Sequence, residues 1–146
     1  MVGASGRSVF EQPDGYLMFS VQWSLDTTHS ELYITRFNSD IEIIDEQSYS
    51  SDWNTDPGIM DPVARRAGGG YAVTVTLFGG SDPNVTKLLL FNANGEMISD
   101  HFVKTDSVDL GNHGTRQLIE LSDGHFLHCG WCSEPIKGTS KNLLIT

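Results

Sequence analysis

A strand–turn–strand pattern returns at a fixed interval along the chain. Its fullest copy covers residues 68–98. A glycine turn opens it. An alternating strand follows, with Tyr71, Val73 and Val75 against Ala72, Thr74 and Thr76. A Gly/Ser/Asp/Pro/Asn loop at 79–84 breaks that strand. The apolar run Leu88, Leu89, Leu90 and Phe91 comes next, then the turn Asn92, Ala93, Asn94 and Gly95, then a further run from Met97. Two landmarks set the period. Gly15, Gly70 and Gly124 are separated by 55 and 54 residues, and Phe37, Phe91 and Ile145 by 54 and 54. Within each copy the glycine stands 22, 21 and 21 residues before the apolar landmark. Tyr16 matches Tyr71, with His125 in the third copy. Self-similarity at a fixed period marks an architecture built from repeated supersecondary units.

Each copy reads as a series of short strands. In the first copy (7–50) the strand candidates are 8–11, 16–23, 31–37 and 41–46. Pro13, Asp14 and Gly15 form a turn, because Pro fixes φ, Asp bonds backbone and Gly tolerates positive φ. The run from Tyr16 to Trp23 is apolar on both faces, as in a strand buried between layers. A polar connector, 48–61, contains Trp53. The second copy spans 62–104 and a second connector 105–114. The third copy, 115–146, has strand candidates 116–121, 125–131 and 141–146 and is truncated before a fourth. Residues 1–146 suit a single domain. The 15 glycines punctuating short strands point to an all-β chain.

Net charge narrows the partners. With 19 acidic and 9 basic residues the chain carries −10, which repels phosphate backbones and anionic lipid. Nucleic-acid and membrane binding are therefore not expected. The one basic pair, Arg65 and Arg66, reads as a solvated strand end. No apolar run reaches the length of a membrane-spanning helix, and residues 1–7 lack the apolar core of a signal peptide. Two cysteines are too few to build a disulfide framework.

Four short antiparallel strands per unit, repeated, describe a propeller blade. The order of first strand, Asp14-Gly15 or Gly69-Gly70 turn, Tyr-led second strand, loop, third strand and Asn94-Gly95-Glu96 turn resembles bacterial β-propeller repeats of the "DGGY … NGE" type. The resemblance covers nearly the whole chain. It implies blades of four antiparallel strands, about three repeats of roughly 54 residues, and a secreted or cell-surface location. A β-sandwich or irregular barrel is the competing architecture. Propellers usually have about 4–8 blades. The expectation is therefore a homo-oligomer, most simply a dimer, that completes the ring, or else a fragment of a larger propeller. Residues before Ser8 would supply the strand missing from the third copy.

Several residues are candidates for chemistry. Cys129 and Cys132 form a C-x-x-C flanked by His125 and His128. Zinc needs four convergent ligands, and strand alternation sends His125 and Cys129 to one face and His128 and Cys132 to the other. The simpler reading is a buried strand, with free Cys acting as a small hydrophobe. The acidic loops 52–56 and 106–112 hold oxygens that suit calcium but lack EF-hand spacing, and Asp, Asn and Gly are ordinary turn residues. Trp23, Trp53 and Trp131, with Asp52 and Asp82, form the candidate ligand-binding set, since aromatics beside carboxylates suit sugar rings. Trp23 and Trp131 also suit packing between neighbouring blades. No nucleotide fingerprint, phosphate-cradling loop or nucleophile triad occurs, so no cofactor is expected. The reading is a non-enzymatic binding or scaffold module for a glycan or protein. The alternatives are a sialidase- or glycosidase-like propeller hydrolase, or an inactive fragment of a longer propeller.

Overall fold

The computed structural model describes residues 3–23, 30–49, 56–78, 85–103, 113–132 and 142–145. The described residues form strands and turns and contain no helix. The first sheet holds β1 (Gly3–Gln12), β2 (Gly15–Trp23), β3 (Ser30–Asn38) and β4 (Ile43–Tyr49) in chain order. The second holds β5 (Asp56–Arg65), β6 (Tyr71–Phe78), β7 (Val85–Phe91) and β8 (Met97–Val103), again in chain order. The third has β9 (His113–Glu120), β10 (Phe126–Cys132) and β11 (Asn142–Ile145), with β10 central. All pairings are antiparallel. The all-β expectation holds.

Several boundaries differ from the sequence reading, among them that of β9, which begins at His113 inside the connector read at 105–114. Residues 3–7 belong to β1 and pair with β2, Gly3 lying opposite Trp23. They do not supply a strand to the third sheet. β5 begins at Asp56, inside the stretch read as a polar connector. Pro57 and Pro62 lack the N–H that a ladder needs, which disguised the strand. Its register accordingly shifts between Asp56 and Ile59 and between Met60 and Val63. β4 begins at Ile43 rather than at Ile41, because Ile41 sits in the turn with φ of 65°.

The second sheet is covered on both faces, and its two-residue periodicity sorts its side chains. Tyr71, Val73, Val75, Leu89 and Phe91 pack against Leu17, Phe19, Val21, Leu32 and Ile34 of the first sheet. Ala72 and Leu88, with Ala64 and Leu90, pack against Leu118 and Phe126 of the third. Tyr71 to Val75 are buried on both faces although Thr74 alternates with apolar neighbours. The double burial read for the run from Tyr16 to Trp23 is not found, since Tyr16 is 38% exposed. The first core is strongly aromatic. The Phe19 ring lies 5.2 Å from Tyr71 and 5.6 Å from Phe91, and Phe10 lies 4.7 Å from Tyr71. Edge and tilted contacts of this kind add to simple area burial.

Strands of the three sheets do not run equally close. The backbones of β1 and β9 both lie beside β5, whereas no Cα of β4 or β8 comes within 8 Å of a strand of another sheet. β5 also lies beside β2 and β3. β4 reaches the second sheet through the side chain of Tyr49, whose ring lies 5.5 Å from Phe91 and whose hydroxyl accepts from Met97 N.

The turns correct the alignment of the third sheet by one residue. Gly69 N donates to Arg66 O at 3.1 Å, and Arg66 N to Gly70 O at 3.0 Å. Gly124 N donates to Leu121 O at 3.0 Å, and Leu121 N to His125 O at 2.7 Å. Gly124 thus holds the place of Gly69, with φ of 85° against 89°. Gly70 is matched by His125 and Tyr71 by Phe126. Both hairpins use a three-residue loop closed by a left-handed glycine, whereas the first sheet closes with only Pro13 and Asp14 between paired Gln12 and Gly15. Ile145, opposite Leu127, likewise corresponds to Leu90, opposite Ala72. Tyr16, Tyr71 and Phe126 then stand 55 and 55 residues apart.

Candidate functional site

The strongest chemistry among the described residues lies where one sheet meets the next, at the end carrying the β1–β2, β5–β6 and β9–β10 turns. Cross-strand rows define the surfaces that meet there. One row runs Phe10–Leu17 in the first sheet, Ala64–Ala72–Leu90 in the second and Ile119–Leu127–Ile145 in the third. The opposite face carries Glu11–Tyr16–Phe37, Arg65–Tyr71–Phe91 and Glu120–Phe126 at matching positions. Each inter-sheet junction sets the first kind of row against the second.

Polar latches close both junctions. Gln12 Nε2 donates to the Tyr71 hydroxyl. Arg65 donates to the Glu11 carbonyl at 2.8 Å, its guanidinium 5.7 Å from the Phe10 ring. At the next junction Arg66 lies 5.9 Å from the Phe126 ring and donates to Glu120 at 3.3 Å. Ala67 N donates to the second Glu120 oxygen at 2.6 Å. Glu120 is the more buried partner, its side chain 8% exposed. The basic pair read as a solvated strand end is thus a clamp, with Arg65 turned to the first sheet and Arg66 to the third. Gln12 and Arg66 hold corresponding positions and reach corresponding residues, Tyr71 and Phe126.

A second ion pair lies on the face of the second sheet that meets the first. Lys87 is buried, donates to Asp100 at 2.6 Å and lies 4.5 Å from the Phe102 ring. The hydrogen bond from Lys87 is the main cause holding the Asp100 carboxyl below its ordinary range, and the Lys87 charge adds to it. At the turn of the third sheet, Asp123 accepts from His125 N at 3.1 Å, and His125 Nδ1 lies 3.1 Å from the same oxygen. The backbone bond comes first and the ring second in lowering the Asp123 pKa.

The ligand-binding and metal candidates read from sequence are scattered. Trp23 ends β2, opposite Gly3 and Ser30, and Trp131 lies opposite Gly114 near the end of β10. Packing of the two indoles falls outside the described side chains. Trp53, Asp52 and Asp82 lie outside the described residues, as do the acidic loop 106–112 and most of 52–56. His128, Cys129 and Cys132 lie on β10, opposite Leu118, Gln117 and His113. β10 pairs with β9 and β11 through Cys129, so that residue stands in the middle of a ladder. His125 lies before β10, exposed, in the turn with Asp123. Among the described residues no three His, Cys, Asp or Glu side chains group as a metal site.

Sequence reasoning used Tyr16 only as a repeat landmark and gave no contact role to Ile119, Leu121 or Leu127. Tyr16 is 38% and Ile119 40% exposed, whereas Tyr71 is 2% and Phe126 6% exposed. The signal was the 55-residue spacing of Tyr16, Tyr71 and Phe126, which a match of Gly124 to Gly70 obscured. No family model, curated protein or solved structure matches this chain, so the geometry and the sequence carry the functional reading.

Proposed function

We propose that this chain is a sector of a β-propeller that completes its ring by self-association and acts as a non-enzymatic binding or scaffold module. One observation carries the reading. Three sheets of consecutive antiparallel strands pack face to face in chain order, the second covered by the first on one face and by the third on the other. Face-to-face stacking of consecutive antiparallel sheets is what neighbouring propeller blades require. The "DGGY … NGE" resemblance supports the same architecture.

The ligand fits a glycan better than a second protein on the residues available. Trp53 follows Asp52 in the sequence, an aromatic and a carboxylate of the kind that suits a sugar ring. Trp23 and Trp131 stand at or near the ends of β2 and β10. Equivalent loops on several blades give weak sites that sum by avidity. A glycan array probed with the whole protein, followed by fluorescence titration of the hits, tests this. Binding that falls by about tenfold in Trp53→Ala is expected of an aromatic anchor. Absence of any glycan signal, or a signal unchanged in Trp53→Ala and Trp23→Ala, overturns the glycan assignment.

A further inference from the structure

We infer that the open faces of the first and third sheets dock on each other between two copies of this chain, and that Glu11 and Tyr16 of one copy seat on the turn at Leu121 and Ser122 of the other. The inference rests on the self-association proposed above and names its surface.

The argument follows positions. At the first junction the row with Phe10 and Leu17 meets the row with Tyr71 and Phe91. At the second, Ala64, Ala72 and Leu90 meet Phe126. The third sheet presents the next row of the first kind, Ile119 and Leu127, and among the described residues no sheet lies on it. Ile119 is 40% exposed and Leu127 half-buried. The first sheet presents the next row of the second kind, Tyr16 and Phe37, continued to Ile43 across the sheet. Tyr16 is 38% and Ile43 62% exposed. One face is therefore the unmatched half of a junction that the molecule already builds twice, and the other face is its complement.

Polar groups continue the series. Ala67 N donates to the Glu120 carboxylate across the second junction. Ser122 holds the place of Ala67, because Leu121 holds that of Arg66. Glu11 holds the place of Glu120, each opposite the first aromatic of the second strand. The exposed Glu11 carboxylate of one copy is thus matched to the Ser122 N–H of the other. Leu121, in place of Gln12 and Arg66, comes over the Tyr16 ring. The contact is heterologous, face against different face, and two such contacts close a two-fold ring of six sheets. Six lies inside the usual range of about 4–8 blades.

Two exposed substitutions test this in the full chain, with circular dichroism checking that each variant is folded. Wild type should have the mass of two chains by light scattering, and Tyr16→Asp and Ile119→Asp should each be single chains. Mixing the two variants should restore a two-chain species, since one intact Tyr16 face then meets one intact Ile119 face. Glu11→Ala removes the bond from both contacts of the ring and should weaken self-association roughly a hundredfold, about tenfold for each hydrogen bond to a charged group. A two-chain wild type that both variants leave unchanged overturns the docking surface while self-association stands. Restoration failing on mixing overturns the heterologous contact. A single-chain wild type removes self-association itself and leaves both faces to another occupant.

Discussion

Ile41 and Gly95 hold the same place in two copies of one hairpin turn. Ile41 N donates to Asn38 O, and Gly95 N to Asn92 O, each at 3.1 Å. Around them the asparagines repeat one network. Asn38 Oδ1 accepts from Asp40 N and Glu42 N, and Asn92 Oδ1 from Asn94 N and Glu96 N. The side-chain amides of Asn38 and Asn92 donate to Glu42 and Glu96. Both central residues have positive φ, 65° for Ile41 and 86° for Gly95. A β-branched residue pays about 1–2 kcal/mol to be there, and Ile41 is 72% exposed, so little packing offsets it.

Ile41→Gly should therefore stabilise the chain by about 1 kcal/mol, after the greater entropy of glycine in the unfolded state is deducted. Urea denaturation of the two proteins measures it through the midpoint at unchanged slope. A lower midpoint in the variant would contradict the strain assigned to Ile41.

Gly95→Ala should do the reverse and cost about 2 kcal/mol. Its Cβ would lie 2.7 Å from Ile34 Cγ2 and 3.3 Å from Leu17 Cδ1. The turn of the second sheet therefore rests on the core of the first. Tyr49 fastens it, its hydroxyl 3.2 Å from Gly95 O and accepting from Met97 N at 3.1 Å. A melting temperature equal to that of wild type would show that this turn does not bear on the first sheet.

Glu120→Ala should cost about 2 kcal/mol, because it removes a buried acceptor shared by Arg66 and Ala67 N. The loss belongs to one junction. Hydrogen exchange should speed most in β9 and β10 and least in β2 and β3, as expected when sheets are held by nearest-neighbour contacts. Uniform acceleration over all three sheets would contradict a junction-specific role.

Asp100 predicts a pH dependence. Its carboxyl is held below the ordinary value of 3.8 by Lys87, so the folded state binds that proton less readily than the unfolded state. Its stabilisation is present above the ordinary value and is lost as pH falls through the lower folded value. Asp100 has a side chain 47% exposed, and solvent reduces the effect. Asp100→Asn should cost about 0.5–1 kcal/mol near neutral pH, and the gap to wild type should narrow below about pH 4. A gap that stays constant across that range would detach Asp100 from the acid response.

Much of the architecture was legible because alternation and turn chemistry are local. The run from Tyr16 to Trp23 read as a strand buried on both faces, but Tyr16 is 38% exposed. The double burial falls on Tyr71 to Val75, which read only as an alternating strand. Other features needed distances. Pro57 and Pro62 hid β5, since prolines usually interrupt a ladder. Three glycines at 68–70 offered more than one partner for Gly124, and only the turn hydrogen bonds chose Gly69. The clamp from Arg66 to Glu120 joins residues 54 positions apart, and no local pattern announces it. Tyr16 and Tyr71 look alike in sequence, and only the sheet stacked on one of them tells them apart. Trp53, Asp52 and Asp82 lie outside the described residues, and their part in binding stays with the sequence.

The native mass of the wild-type chain at micromolar concentration, by multi-angle light scattering, tests the central claim most directly. A mass of two chains, each 16.1 kDa, is the predicted result. A mass of one chain across the whole concentration range would contradict the self-completed ring.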